Sequence, residues 1–234
     1  DKLEFNKEIQ DLLYLKKIKT VITFKDKLLS LDLKSNYSLI DKNFDNESEN
    51  NIINLKLDKK DSKFSDVEIF VRSDNNSINT KELKKYLKIK EQDNLIVDQI
   101  VNINSNFTIN ALIDDKFNIK NFAIKSDLNF DNLNINYRSN LIKNYLTNFD
   151  NKIAIKNPQI LFEYSNDIFN LQADGKYLLK DKEDNFFIKY KGSENNFKIY
   201  SLLDFNDSEL KINEIQYFKK KKIPSKFEIL LNKS

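Results

Sequence analysis

Apolar residues recur at every second position through most of this chain, and that spacing constrains its fold more than any other feature. Leu29, Leu31 and Leu33 alternate with polar residues, as do Ile53, Leu55 and Leu57, then Val67, Ile69 and Val71. The pattern returns in Phe107-x-Ile109-x-Ala111-x-Ile113, Phe117-x-Ile119, Phe122-x-Ile124 and Leu133-x-Ile135-x-Tyr137. It continues in Ile160-x-Phe162-x-Tyr164, Phe169-x-Leu171-x-Ala173, Phe186-x-Ile188-x-Tyr190, Leu210-x-Ile212 and Phe227-x-Ile229-x-Leu231. Successive side chains of a strand point to opposite faces, so each run gathers its Leu, Ile, Val and Phe on one face. The residues between are mostly Lys, Asn, Asp, Glu and Ser. A sheet with one oily and one wet face is the mark of antiparallel meanders, because buried parallel strands read as unbroken apolar runs.

Such strands need turns, and the chain has only Gly175 and Gly192 to make them with. Asn and Asp take over: Asp114-Asp115, Asp131-Asn132, Asn166-Asp167, Asp181 to Asn185, Glu194 to Asn196 and Asn206-Asp207 separate the strands. Their short side chains bond nearby backbone and tolerate left-handed conformations. Three stretches break the alternation. Leu83, Tyr86 and Leu87 follow an N-cap at Thr80 at helical spacing, and Leu141, Ile142, Tyr145, Leu146 and Phe149 form a second amphipathic stretch. The first twenty or so residues, with Ile9, Leu12 and Leu13, read equally as helix or strand. Asp41 to Asn51 reads as a mobile polar loop. The expectation is a mainly β fold, a long antiparallel β-meander with one to three short helices. Residues 1–234 form a single β-rich segment: strands to about 75 with an optional leading helix, a helix at 79–90, and a meander over 95–234 interrupted by a helix near 139–149. The chain opens with Asp1 and is expected to be an internal segment of a larger protein.

Composition removes most chemistry. With no His and no Cys, no Ser-His-Asp or Cys-His nucleophile, zinc site or disulfide is available. Two glycines do not build a phosphate-cradling loop or a dinucleotide fingerprint. Carboxylates alone suffice for a glycosidase, but among 36 acidic residues chance pairs are the rule. Asp127-x-Asn129-x-Asp131 has the spacing of a calcium loop, yet Asn132 replaces its glycine and Arg138 its closing Glu, so it reads as the wet face of a strand. The expectation is therefore no catalytic, metal or cofactor-binding residue, and no enzyme. The 39 basic and 36 acidic residues are interleaved, which argues against nucleic acid as a partner. The one basic cluster, Lys219 to Lys222, reads more readily as a hairpin tip between Ile215-x-Tyr217 and Phe227-x-Ile229 than as a contact for anionic lipid. With 18 Phe and 10 Tyr the chain has the apolar content to fold. Its wealth of Lys, Asn, Ile and Phe follows AT-rich codons.

The oily stripes allow two functional readings. They meet across the dry core of a closed sandwich or barrel, a structural or interaction module, or they line an open groove covered by lipid chains. Period-two spacing is the same in both.

From about Leu128 to Leu231 the order of features resembles the AsmA-like family of bacterial envelope proteins, the relatives of TamB and YhdP. The resemblance is carried by FDNLNINY, the helical LIKNYLTNFDNKIAIKN, PQILFEYSNDIFNLQADGKYLL and LKINEIQYFKKKKIPSKFEIL, and upstream by SINTKELKKYLKI. It implies a twisted, U-shaped β-groove in the periplasm, anchored to the inner membrane by a helix outside this segment. It implies a part in phospholipid transport and outer-membrane upkeep, with acyl chains and adjoining β segments of the parent chain as partners and no cofactor. The groove would be lined by Leu128, Phe130, Leu133, Ile135, Ile160, Phe162, Phe169, Leu171, Phe186, Ile188, Phe227 and Ile229.

Overall fold

A computed structural model describes residues 13–25, 28–39, 51–59, 63–78, 95–97, 100–116, 118–137, 151–179, 182–193, 195–206 and 209–233. The strands are β1 (Leu13–Lys25), β2 (Leu28–Leu39), β3 (Ile52–Lys59), β4 (Phe64–Ile78), β5 (Leu95–Val97), β6 (Ile100–Asp114), β7 (Ile119–Asn129) and β8 (Asn132–Tyr137). They continue as β9 (Lys152–Ser165), β10 (Ile168–Leu179), β11 (Lys182–Gly192), β12 (Phe197–Asp204), β13 (Leu210–Ile212), β14 (Tyr217–Lys219) and β15 (Lys226–Lys233). Thirteen strands share one sheet, in the order β1-β2-β3-β4-β6-β7-β9-β10-β11-β12-β15, with β8 pairing β5, β6 and β9 off that path. Neighbours in sequence are mostly neighbours in the sheet, as in a meander. Among the described residues the path does not return from β15 to β1, and the second sheet is only the hairpin β13–β14. These strands therefore do not close into a barrel.

Turn chemistry follows the Asn and Asp residues. Asn166 and Asp167 both have positive φ, at 49° and 60°, and join β9 to β10 as a two-residue hairpin turn. Asn102, Asn151 and Asn157 also sit at positive φ, which crowds any Cβ against the backbone but costs Asn least because its short polar side chain can bond locally. Asn157 changes the most. It sits within β9 at φ 44°, and its N–H leaves for the carbonyl of Asp131 at 2.8 Å. The strand's parity switches there: Ile153 and Ile155 before it, and Ile160 after it, pack against the same core. Lys17, at φ 51°, marks the matching irregularity in β1, where the register with β2 shifts between Lys16 and Lys19.

Several expectations need correction. Leu13 begins β1, so the start of the chain is strand from there on, while Ile9 and Leu12 lie outside the described residues. The helices expected at 79–90 and 139–149, and the loop at 41–50, also lie outside them. The end of the run LIKNYLTNFDNKIAIKN, expected to be helical, is not helix: Lys152 to Asn157 belong to β9, where Ile153 and Ile155 alternate with polar or small residues. Asn51, expected to end that loop, is buried, and its Oδ1 accepts the N–H of Asp74 at 2.8 Å. The turn expected over Asp181 to Asn185 is shorter, because β11 already begins at Lys182. Among the described residues no helix is long and apolar enough to cross a membrane.

The chain divides into two compact units. The first comprises Asp1–Asn76, Asn104–Leu128 and Phe162–Ile168; the second comprises Ser77–Ile103, Asn129–Leu161 and Phe169–Ser234. In the first unit the register places Leu31 opposite Leu57, Leu33 opposite Leu55, and Leu55 opposite Ile69, giving one apolar face of half-buried side chains. In the second unit Ala173, Tyr177 and Phe186 form a buried core. Gly175 is part of its construction: a Cβ there would stand 2.9 Å from the Cα of Pro158 and 3.2 Å from the ring of Phe186. Pro158 is the fully buried residue of that contact.

Candidate functional site

The second unit stacks its apolar residues in rows across the strands. Gly175 lies opposite Phe186, Phe186 opposite Leu203, and Leu203 opposite Phe227. The next row runs Ala173, Ile188, Ser201 and Ile229. On β8 and β9, Ile135 faces Ile153 and Leu133 faces Ile155. One sheet face thus carries a continuous surface of Ile, Leu and Phe.

A strap crosses part of that face. After β12 the chain leaves the sheet at Phe205, forms β13 and β14 around a 3-10 turn at Asn213–Ile215, and rejoins the sheet after Ser225. The two ends are tied together: Phe205 N–H donates to the Ser225 carbonyl at 2.8 Å, and the Ser225 hydroxyl donates to the Phe205 carbonyl at 3.0 Å. The Phe205 ring packs edge-on against Tyr177 and Phe227, with centroids 6.1 and 6.3 Å apart. Three buried polar groups secure the strap. The Asp184 carboxylate accepts the N–H of Asn206 with both oxygens at 3.1 Å. The Tyr177 hydroxyl donates to the carbonyl of Asp204. Burial, and then the nearby charges of Asp184 and Asp204, hold the Tyr177 phenol well above its ordinary pKa, so it stays a donor. The Lys219 ammonium, 2% exposed, donates to the carbonyls of Asn206 and Lys220, both at 3.3 Å.

Between strap and sheet lies a cavity of about 680 Å³. Ile135, Ile153 and Ile155 form one wall, Tyr177, Leu179, Phe186, Ile188 and Leu203 the floor, and Phe227 and Ile229 the far side. Phe205, Leu210 and Ile212 of the strap cover it. The volume falls within the roughly 300–1,000 Å³ of small-molecule sites, but the lining differs from the usual one. Its one polar side chain, Tyr177, already spends its hydroxyl on Asp204. A polar ligand group drawn inside would lose its water without replacement, whereas an alkyl chain loses nothing. The cavity suits hydrocarbon.

The residues expected to line a groove divide accordingly. Ile135, Phe186, Ile188, Phe227 and Ile229 line the cavity. Leu133 is on the same face, and Ile160 and Leu171 pack against the core beside it. Phe169 stands edge-on to Tyr190 at 5.5 Å. Phe130 is 6% exposed, so it is core and not an open wall. Leu128 and Phe162 belong to the first unit, where both are half-buried. Sequence reasoning missed Ile153 and Ile155, on the far side of the parity switch at Asn157, and Leu203, in the unpatterned Tyr-Ser-Leu-Leu run. It also missed the strap residues that close the site.

The lysine run is a correction as well. Tyr217–Lys219 pairs with Leu210–Ile212, not with β15, so Lys219 to Lys222 is not the tip of a hairpin between β14 and β15. The calcium-like spacing does not assemble either: Asp127 and Asn129 are exposed on β7, and Asp131 accepts a hydrogen bond from the Asn102 amide. Among the described residues no group of three or more His, Cys, Asp or Glu side chains is placed to hold a metal.

The first unit has a hollow of its own, about 600 Å³, between Lys56, Asp58, Asp66, Glu68, Asn110 and Asn121. Two of its charges already engage each other: Lys56 meets Asp58 at 2.7 Å, and the Ser30 hydroxyl donates to Asp58 at 2.6 Å. Those two hydrogen bonds hold the Asp58 carboxyl below its ordinary value. No protein-family model matches this chain, and no curated protein and no solved structure matches it significantly.

Proposed function

We propose that this chain is a non-enzymatic segment of an AsmA-like envelope protein, and that its apolar sheet faces carry phospholipid acyl chains between the inner and outer membranes. In this reading the segment resides in the periplasm, anchored to the inner membrane from outside its own bounds. The observation that carries the reading is the cavity of the second unit, whose walls are hydrocarbon and whose single polar side chain is already bonded. Exposing a methylene to water costs about 0.8 kcal/mol, so a sixteen-carbon chain faces a penalty on the order of 12 kcal/mol. An Ile, Leu and Phe surface removes most of that penalty without a directional bond, which lets a chain be held and still slide. Among the described residues β1 and β15 each have one neighbour in the sheet, and adjoining strands of a parent chain can add at those edges.

The test is native mass spectrometry of the purified chain, beside an Ile188→Lys variant. Ile188 is a half-buried cavity wall, so a lysine there places a charge in the site while its ammonium can still reach water. Phospholipid bound to the parent and absent from a folded variant is the expected result. A parent chain free of lipid after purification from membranes, or a variant that retains it fully, ends the proposal.

A further inference from the structure

The strap over the cavity has a second side. In the β13–β14 hairpin Leu210 pairs with Lys219 and Ile212 with Tyr217, so these four share the face turned toward the sheet. Lys211 pairs with Phe218, and both are exposed on the opposite face. Phe218 is 52% exposed, Ile215 68% and Ile223 51%. Lys220, Lys221 and Lys222 are exposed beside them in the turn that leads to Pro224. From Ile215 to Phe227 the chain carries five lysines and no acid, in a protein whose charges are otherwise interleaved. The structure separates these lysines by role. Lys219 is buried and bonded to two carbonyls, fixing the hairpin, while its three successors stand in solvent.

We propose that this outer side, with Lys211, Phe218, Lys220, Lys221, Lys222 and Ile223, is a docking surface for an anionic bilayer. Lysine ammoniums at the level of the headgroups meet negative charge, while exposed Phe and Ile reach the acyl boundary below them. Charge complementarity and the apolar tips call for the same occupant. A nucleic acid would satisfy the lysines but leave Ile215 and Ile223 in water, and neither arginine of the chain, Arg72 or Arg138, lies in this segment. The hairpin's inner side covers the cavity, so docking would hold the cover of the apolar site at the lipid surface. This surface does not depend on the function proposed above, because the cavity can accept a chain from a micelle whether or not the strap touches a bilayer.

The experiment is co-sedimentation of the whole chain with vesicles of phosphatidylcholine alone and with roughly one third phosphatidylglycerol. Binding is expected only to the anionic vesicles and is expected to fall with added salt. Each lysine near such a surface strengthens binding about fivefold, so K220Q/K221Q/K222Q should bind about a hundredfold more weakly. Phe218→Ser and Ile223→Ser should weaken binding while leaving its salt dependence in place. Circular dichroism confirms that each variant folds, and uptake of a fluorescent fatty acid from solution reports the cavity separately. Equal binding by the triple variant, equal binding to neutral vesicles, or tighter binding to duplex DNA or RNA than to vesicles would overturn the proposal.

Discussion

The two units are built from the same alternation and end up with opposite interiors. Among the described residues of the first unit, Tyr37 is the sole buried apolar side chain; the others buried there are Ser35, Asn51, Ser105 and Ser126. The second unit buries Ile103, Phe130, Pro158, Ala173, Tyr177, Phe186, Phe205 and Leu210, and with them, among the described residues, only two polar side chains, Asp184 and Lys219. Strand pattern does not account for the difference, since Leu31, Leu55, Leu57, Val67 and Ile69 alternate as strictly as anything in the second unit. What differs is cover. The second unit has the strap from Phe205 to Ser225 lying over its oily face, while in the first unit β1 still leaves Ile22 65% and Phe24 73% exposed. Alternation decides which side chains share a face; a segment that does not alternate decides whether that face becomes a core.

The largest test of this contrast is a pair of truncations. Phe186→Ala removes a buried ring from the core of the second unit and should cost about 3 kcal/mol. Leu55→Ala removes a side chain that is only half-buried and should cost about 1 kcal/mol. Unfolding in urea, with hydrogen exchange to assign the loss to a unit, separates the two. Equal costs would mean that the first unit's face is covered as fully as the second's.

Gly175→Ala comes next. In an open strand this change stabilises by restricting the unfolded chain, by roughly 0.4–1 kcal/mol. Here the new methyl would stand 2.9 Å from a backbone atom of Pro158 and 3.2 Å from the Lys156 carbonyl oxygen, neither of which can rotate aside. A loss of about 2 kcal/mol is expected, through overpacking. A neutral or stabilised variant would show that β9 and β10 are not packed this closely, and that the second unit's core is looser than described.

Much of this was legible in the sequence, and the failures have physical causes. Period two gave the mainly β, antiparallel meander and most of the apolar face, because a pleated strand allows no other partition of its side chains. Asn and Asp standing in for glycine were legible too: among the described residues, five of the eight non-glycine residues at positive φ are Asn or Asp. A bulge was missed. The Asn157-Pro158 pair is the one local mark of the switch, since proline inside a strand belongs at a bulge, but the run up to Asn157 read as helical, so Ile153 and Ile155 went unrecognised as cavity walls. The strap was hidden for a different reason. Leu210-x-Ile212 reads as one more strand of the sheet, and only its three-residue length and its pairing with Tyr217–Lys219 remove it to a separate layer. The lysine run misled by the same route, since a buried Lys219 looks in sequence like its exposed neighbours.

The smallest expected effect returns to the first unit, whose turns rest on polar contacts in place of packing. At the β6–β7 turn, Asp114 accepts the Asn118 side-chain amide at 3.0 and 3.1 Å, the Asn118 N–H at 2.8 Å and the Lys116 N–H at 3.0 Å, and it meets the Lys120 ammonium at 3.1 Å. These donors, Asn118 first among them, hold its carboxyl far below the ordinary aspartate range. In the second unit Glu183 is depressed as well, chiefly by the Lys176 ammonium at 2.7 Å, but that partner sits on a long side chain exposed to solvent. A carboxyl with a lowered folded pKa stabilises fully above its unfolded value, near pH 4, and loses that contribution as the pH falls toward the folded one. Glutamate starts from a higher ordinary pKa, and Glu183 is depressed less than Asp114. Falling pH should therefore weaken the β10–β11 pairing at Glu183 first and the β6–β7 turn last, the turn losing the larger contribution. Hydrogen-exchange protection followed from roughly pH 5 down to about pH 2 should fall at higher pH for the amides flanking Glu183 than for those of Lys116 and Asn118. Asp114→Ala should bring the low-pH behaviour to the higher pH and flatten the difference. A turn whose protection does not change with acid would show that backbone pairing, rather than the carboxylate, holds this end of the first unit.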